Sequence, residues 1–206
     1  MKKLLILLFS LFFLSSPSVI ADDISDFTIE GISIGNSLLD YMTEDEILKD
    51  IELNKDYYNF LNEPNKYAEV YLFGDFSSYD YLSFFIKNNS TNQYVSNKNE
   101  KYIILSIFGS ISYEKDFNSC TQKRDEIAEV LSEMFPNEQL QDASRNIRGD
   151  PSGDSIMVGF FFDFDSGDRI QAECTDFEEN FRIKNNMTEG LNISINSAEI
   201  VDWFLN

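Results

Sequence analysis

The chain has 206 residues, with 36 acidic and 16 basic side chains and a formal net charge of −20. Such a surface repels phosphate backbones and anionic lipid headgroups, which argues against nucleic acid as a partner. The chain has no histidine, which excludes Ser-His-Asp and Cys-His nucleophiles and imidazole-bound zinc. Two cysteines are too few for a four-thiolate zinc site, so we assign no catalytic, cofactor-binding or metal-binding residue.

The first residues have the three parts of a secretory signal peptide. Lys2 and Lys3 precede an apolar run over 4–14, and small or apolar residues lead to a predicted cleavage after Ala21. The run is about eleven residues long, whereas a membrane-spanning helix needs roughly 20. We therefore expect an exported protein, periplasmic or extracellular, with no membrane insertion after cleavage. The leader holds two lysines and no acid, so the mature chain, 22–206, carries 14 basic and 36 acidic side chains and a net charge of −22.

In the first half of the mature chain, alternating apolar and polar residues predict strands at 27–34, 67–73, 79–87 and 102–113. The second and third of these strands should form an antiparallel hairpin. Thr43 and Glu46 have the spacing of a capping box and predict a helix over 44–53, with Ile47, Leu48 and Ile51 facing inward. The Asn-rich stretch 88–99 is predicted to be a loop.

In the second half, Ser119 and Gln122 repeat the capping-box spacing, and Pro136 should end the helix near Phe135. Residues 139–149 are predicted to be irregular or a short helix. A second hairpin is expected from 155–164 and 169–176, followed by a strand through Leu191, Ile193 and Ile195. Ser197 is predicted to cap a short terminal helix.

The element order β-α-β-β-β-α-β-β-β-α predicts an α+β fold, an antiparallel sheet built from hairpins with helices packed on one face. We expect 22–206 to be a single domain. EGISIGNS near the start and EGLNISINS near the end are similar, which raises the alternative that a β-α-β-β-β unit is duplicated over 27–118 and 119–206.

The two cysteines, Cys120 and Cys174, are predicted to form a structural disulfide because an exported chain meets oxidising conditions. Cys120 has helical spacing with Ile127 and Leu131, and Cys174 alternates with Ile170, so each thiol should face the core. The bridge would stabilise the fold by roughly 4 kcal/mol in the chain-entropy description. The alternative, a redox pair, favours C-x-x-C spacing.

Two segments, FTIEGISIGNSLLDYM and DPSGDSIMVGFFFDFDSGDRIQAEC, resemble segments of exported bacterial proteins that share an F-x-I-E-G-I-S-I-G-x-S-L opening and have no known function. Together they cover about a fifth of the chain. The resemblance implies an exported location and a common fold. It carries no activity, cofactor or catalytic residue.

The sequence has two acidic turns that are candidates for calcium binding, one beginning at Asp150 and one running through Asp163, Asp165 and Asp168. An EF-hand started at Asp163 would place Gly167 fifth and Cys174 twelfth, where oxygen ligands are required, so the match fails. Ordinary turn chemistry explains both segments. Weak Ca²⁺ binding would require the two turns to meet in space.

The first predicted hairpin has an unusual second face. Its outward positions are rich in aromatic residues with polar tips, which suit a protein, peptide or sugar ligand: Tyr67, Tyr71, Tyr79, Tyr81 and Phe85. Alternatively, the helix from Glu44 or the segment Tyr57, Tyr58 and Phe60 covers this face. The favoured hypothesis is a non-catalytic binding or protein-interaction module. A structural or weakly cation-binding secreted protein and a carboxylate-based hydrolase are the alternatives, and the oligomeric state is left open.

Overall fold

The computed structural model describes residues 24, 27–56, 66–74, 76, 78–88 and 100–205. Within these ranges, four α-helices accompany one antiparallel sheet of eight strands, which confirms the α+β class. The strands are β1 Tyr67–Leu72, β2 Tyr81–Lys87, β3 Ile104–Ser112, β4 Leu140–Asp142, β5 Arg145–Asn146, β6 Ile156–Asp163, β7 Arg169–Asp176 and β8 Gly190–Asn196. The helices are α1 Glu44–Asn54, α2 Phe117–Met134, α3 Glu179–Asn185 and α4 Ala198–Leu205.

The strand order is β1-β2-β3-β8-β7-β6-β4, with the two-residue β5 also paired to β6. The sheet therefore consists of two antiparallel meanders, β1-β2-β3 and β6-β7-β8, joined through their last strands. Because β3 and β8 lie side by side, residues from distant parts of the chain share the middle of the sheet.

The main core lies on the first face of the sheet, beneath α1 and α2. Leu82, Phe84 and Ile86 alternate inward from β2 and are fully buried, as are Ile47 of α1 and Leu131 of α2. Removing such a side chain from water contributes about 1.5–3 kcal/mol. The predicted hairpin of β1 and β2 and the packing of these helices on the sheet are confirmed.

The predicted disulfide between Cys120 and Cys174 is confirmed, and it ties α2 to β7 with a Cα separation of 6.0 Å. Both cysteines are buried among the core residues.

The capping box of α1 is also confirmed. Thr43 Oγ1 accepts a hydrogen bond from Glu46 N at 3.3 Å, and Thr43 N donates to Glu46 Oε2 at 2.8 Å. Ile47 is buried as predicted, but the inward placement of Leu48 is wrong because 40% of that residue is exposed.

The strand predicted at 27–34 is wrong. Ile29 and Ile32 pair across a tight turn in which Glu30 and Gly31 have φ values of 51° and 77°. Both isoleucines are buried, so the chain reverses direction here and keeps both side chains in the core instead of continuing as a strand.

Two other predictions in the second half are corrected. Helix α2 begins at Phe117 rather than near Ser119, because the Asp116 carboxylate accepts the hydrogen bond from Ser119 N at 3.1 Å and is the cap. Residues 139–149, predicted as irregular or helical, contain β4 and β5 at the edge of the sheet. Helix α3 was not predicted.

Helix α4 packs on the second face of the sheet, opposite α1 and α2. Its Ile200 is fully buried in a small cluster with Tyr67, Phe85 and Leu105, and Trp203 packs against that cluster. The helix follows Ser197 as predicted, but the Ser197 hydroxyl is buried without a hydrogen-bond partner. Asp168 Oδ1 instead accepts from Ala198 N at 2.7 Å and anchors the start of the helix.

The predicted leader and cleavage site, the segment 57–60 and most of the predicted loop 88–99 lie outside the described residues. Within the described ranges, no helix is both long and apolar enough to cross a membrane.

Candidate ligand groove

The second face of the sheet is polar in its middle. On the first face, β3 and β8 present Ile107, Ile193 and Ile195 to the core. On the second face, the paired positions of these strands hold hydroxyl and amide side chains: Ser106 opposite Asn196, and Ser110 opposite Asn192. Aliphatic side chains would be expected if another layer covered this region, so the pattern is typical of a face that meets water or a polar ligand.

A groove of about 720 Å³ lies on this second face, and we call it the ligand groove. Its floor comes from the central strands, and α4 closes one end with Val201, Phe204 and Leu205. It is lined by Glu69, Tyr71, Tyr81, Ser83, Phe85, Ser106, Phe108, Arg145, Arg169, Gln171, Ser194, Asn196 and these three α4 residues.

A strip of aromatic rings forms the side of the groove nearest β1. The Tyr81 ring centroid lies 6.2 Å from that of Tyr71, 6.2 Å from that of Phe108 and 6.2 Å from that of Phe73. Phe73 is 72% exposed at the outer end of the strip. Aromatic rings held side by side offer flat apolar surfaces on which the apolar faces of a polar ligand can stack.

The floor carries a connected set of hydrogen-bonding groups. Ser106 Oγ donates to Asn196 Oδ1 at 2.7 Å, and Asn196 Nδ2 donates to Ser194 Oγ at 2.9 Å. The Ser194 hydroxyl hydrogen is not used in these two bonds, and a hydroxyl oxygen can accept a further bond. These contacts fix the orientation of the floor while leaving both donor and acceptor positions for a ligand.

Glu69 lies at the β1 side of the floor. Burial raises the pKa of its carboxyl, although hydrogen bonds with Ser83 and Tyr71 act in the opposite direction. Burial, together with the charge and hydrogen bond of Glu69, also raises the pKa of the Tyr71 phenol well above its ordinary value. Tyr71 therefore keeps its proton near neutral pH and remains a hydrogen-bond donor.

Two arginines, each close to a carboxylate, lie on the opposite side of the groove. Arg169 Nε and Nη2 donate to the two Asp163 oxygens at 2.6 and 3.0 Å, and its guanidinium lies 4.2 Å from the Phe161 ring centroid. Arg145, on β5, is exposed and donates to Ala143 O at 3.3 Å. Glu173 is nearby: burial raises the pKa of its carboxyl, while Gln171 and the charge of Arg145 lower it.

Glu69 and Glu173, the two carboxylates of raised pKa at the groove, do not form a hydrolytic pair. Glu69 on β1 and Glu173 on β7 are separated by four strand spacings, or about 19 Å at ~4.8 Å per spacing. Carboxylate pairs that hydrolyse glycosides lie roughly 5–9.5 Å apart. Their raised pKa values therefore reflect burial at separate places on the sheet.

The structure divides the predicted aromatic surface into three parts: residues that line the groove, Tyr67 beneath α4, and Tyr79 on the first face of the sheet. Tyr71, Tyr81 and Phe85 line the groove, although Phe85 is only 6% exposed and packs on Trp203 with a centroid distance of 5.4 Å. Tyr67 is 2% exposed and lies beneath α4, with its hydroxyl donating to Glu199 Oε1 at 3.0 Å. The proposed cover by α1 is not found, because α1 packs on the other face.

The placement of Tyr79 on the outward face is wrong. Its ring lies on the first face, so close to Gly109 that a Cβ added there would come within 2.6 Å of the ring. Because β2 begins at Tyr81, the alternation of the strand does not extend back to Tyr79. Burial, followed by the charge of Glu30, raises the pKa of Tyr79 to about 12.

The two acidic turns do not meet. They lie at opposite ends of β6, whose eight residues span about 26 Å at ~3.3 Å per residue. The Asp150 carboxylate accepts from Ser152 N, Ser152 Oγ and Ser155 N at 2.9, 2.7 and 2.9 Å. The described residues contain no group of three or more His, Cys, Asp or Glu side chains that could hold a metal ion.

No protein-family model, curated protein or solved structure matches this chain. The site must therefore be interpreted from its own geometry. Sequence reasoning missed the polar floor, both arginines and the α4 wall. The floor had a readable signal, since Ser106, Ser194 and Asn196 alternate with buried isoleucines in predicted strands. The sequence holds no signal for the position of Arg145, because β5 is only two residues long and shows no alternation.

Proposed function

We propose that this chain is an exported, non-catalytic carbohydrate-binding protein whose ligand occupies the groove on the second face of the sheet. The observation that carries the proposal is the combination of the Tyr71, Tyr81 and Phe108 rings with the hydroxyl and amide floor. A sugar has the matching surfaces, because its ring carries an apolar C–H face and its hydroxyl groups both donate and accept hydrogen bonds.

The position of the groove favours a sugar over an extended peptide. A peptide commonly binds a sheet by adding a strand to an edge, where backbone groups form its hydrogen bonds. The groove lies on the face of the sheet, where the strands already pair on both sides. At the β1 edge, the Asp50 carboxylate of α1 accepts from Tyr71 N at 2.9 Å and occupies a group that an added strand would need.

The disulfide supports the exported part of the proposal. Disulfides persist in oxidising compartments such as the periplasm and the extracellular medium. The bond between Cys120 and Cys174 lies in the core, away from the groove lining. A structural role for this bond agrees with the signal-peptide pattern of the sequence and supports the proposed location in the periplasm or outside the cell.

The test is binding of the mature chain, 22–206, to an array of defined oligosaccharides and, in parallel, to an array of short peptides. We expect binding to oligosaccharides and its loss in the double variant Tyr71→Ser, Tyr81→Ser, because both rings line the groove. Tyr41→Ser is the matched control, since Tyr41 is 36% exposed and does not line the groove.

Circular dichroism should show that both variants remain folded. The proposal fails if no oligosaccharide binds, or if the double variant binds as tightly as the unchanged chain. Binding to peptides alone, lost in the double variant, would assign the groove to a peptide ligand instead.

A further inference from the structure

We infer that the groove takes an acidic carbohydrate, and that Arg145 and Arg169 bind carboxylate groups carried by its sugar units. This inference rests on the proposed carbohydrate-binding function and specifies the charge of the ligand.

The lining of the groove is less acidic than the chain as a whole. The whole sequence has 36 acidic and 16 basic side chains, yet the groove lining contains two arginines and only one carboxylate, Glu69. These are two of the five arginines in the chain. Asp163 already pairs with Arg169, and Glu173 lies close enough to Arg145 to feel its charge, but Arg145 forms no salt bridge among the described residues. The Arg145 guanidinium and the unused N–H groups of Arg169 are therefore the groups in the groove that favour a negatively charged ligand.

Arg169 is held in place before any ligand arrives. Asp163 takes two of its N–H groups, and the Phe161 ring supports the plane of the guanidinium at 4.2 Å. A guanidinium has five N–H donors, so three are not used by Asp163. A planar donor group that is already oriented loses little conformational freedom when it binds a carboxylate, which makes it an effective recognition element.

Arg145 provides a second cationic position. Among the described residues it forms no salt bridge, and its exposed side chain reaches the groove from β5. Because Arg145 and Arg169 belong to different strands, they can contact carboxylates on different sugar units. A repeating acidic saccharide carries such groups at intervals along its length.

Glu69, the carboxylate that lines the groove, is remote from Arg169. Glu69, Phe85, Ser106, Asn196 and Arg169 form one row of paired residues across five strands, which puts Glu69 about 19 Å from Arg169 at ~4.8 Å per strand spacing. A ligand can therefore place its carboxylates at the arginines and stack a sugar ring at Tyr71 and Tyr81 without bringing a carboxylate close to Glu69.

The test uses three probes, oligomers of galacturonate, mannuronate and glucuronate, each compared with its methyl ester by titration calorimetry in buffer containing EDTA. Esterification removes the charge and keeps the sugar ring. We expect at least one free acid to bind about tenfold or more tightly than its ester, as one charge-assisted hydrogen bond would provide. Arg145→Gln should weaken binding of that acid by about tenfold and leave the ester unaffected.

Arg148→Gln is the matched control, because Arg148 is exposed and does not line the groove. Equal affinity for acid and ester, or equal loss in the Arg145→Gln and Arg148→Gln variants, would overturn the inference. If only neutral oligosaccharides bind, the charge assignment is wrong and the carbohydrate-binding function stands. If no saccharide binds, both are wrong.

Discussion

At the scale of single residues, the Asp150 carboxylate organises the turn between β5 and β6. It accepts three hydrogen bonds, from Ser152 N, Ser152 Oγ and Ser155 N, and Asp150 is 9% exposed. These bonds hold the pKa of Asp150 well below its usual range, with the Ser152 side chain contributing most. The ionised carboxylate is thus part of the folded turn.

We predict that Asp150→Asn lowers the melting temperature at neutral pH, because an amide has one acceptor oxygen in place of two. Folding lowers the pKa of Asp150, so its ionised carboxylate adds to the free energy of unfolding in full above the ordinary aspartate pKa of about 3.9. This added stability is lost as the pH falls through the lower pKa of the folded state. The difference in melting temperature should therefore narrow below about pH 4.

The measurement is thermal unfolding of both proteins from neutral pH to about pH 3. Asp154→Asn is the control from the same turn, because that residue is exposed. A constant difference across the whole pH range would show that the charge of Asp150 does not act as described.

At the scale of elements, the disulfide connects α2 to the middle of the second meander. Cys120 and Cys174 are separated by 54 residues, so the bond closes a long loop in the unfolded chain. We predict that replacing both cysteines with alanine lowers the free energy of unfolding by roughly 4 kcal/mol. Urea unfolding measures this change, and reduction of the unchanged protein should shift its midpoint in the same direction. An unmoved midpoint after complete reduction would contradict the prediction.

Helix α4 should be able to undock while the rest of the sheet stays folded. It packs through a cluster that is separate from the main core and centred on Ile200, which is fully buried. We predict that Ile200→Ala costs about 2–5 kcal/mol of packing and loosens this helix first.

Trp203 is the single tryptophan of the chain and belongs to α4, so its fluorescence reports on docking of the helix. In Ile200→Ala, the fluorescence transition should occur at lower urea than the far-ultraviolet circular dichroism transition. Ile183→Ala is the control, since Ile183 is 64% exposed on α3. Coincident transitions in Ile200→Ala would show that α4 unfolds together with the sheet.

The same elements show how far the sequence predicts the fold. Long segments with a strong period, such as β2 and α1, were predicted closely, because Leu82, Phe84 and Ile86 alternate onto the core face of β2 and a capping box marks the start of α1. Strands β4 and β5 were missed because they have three and two residues and their side chains are exposed. Tyr79 was misplaced because its orientation depends on the space above Gly109, a residue of a different strand.

For the site, the sequence identified the aromatic side of the groove but not the groove itself. Tyr71 and Tyr81 are close in sequence and could be assigned to one face of a hairpin. The floor depends on the pairing of β3 with β8, whose contacts Ser106 and Asn196 are 90 residues apart. A single sequence read by local period does not contain that pairing, so the groove becomes visible only in the assembled sheet.

At the scale of the whole molecule, charge is the dominant feature. The mature chain, with 14 basic and 36 acidic side chains, should be stabilised by added salt because screening reduces repulsion among the acids. The described salt bridges involve partly exposed side chains, as in the pair of Lys87 and Glu199, at 41% and 36% exposure. Exposed pairs of this kind contribute at most about 1 kcal/mol each to stability. Weakening them with salt should therefore not offset the stability gained by screening the repulsion among the acids.

We predict that the melting temperature rises when NaCl increases from about 10 mM to 150 mM, as the screening length falls from roughly 30 to 8 Å. CaCl2 at the same ionic strength should produce a similar rise, because the two acidic turns lie apart and the Asp150 carboxylate is already hydrogen-bonded. Adding EDTA to the protein in NaCl should then leave the melting temperature unchanged. A markedly larger rise with CaCl2, reversed by EDTA, would instead identify specific calcium binding and favour a cation-binding role for this acidic surface.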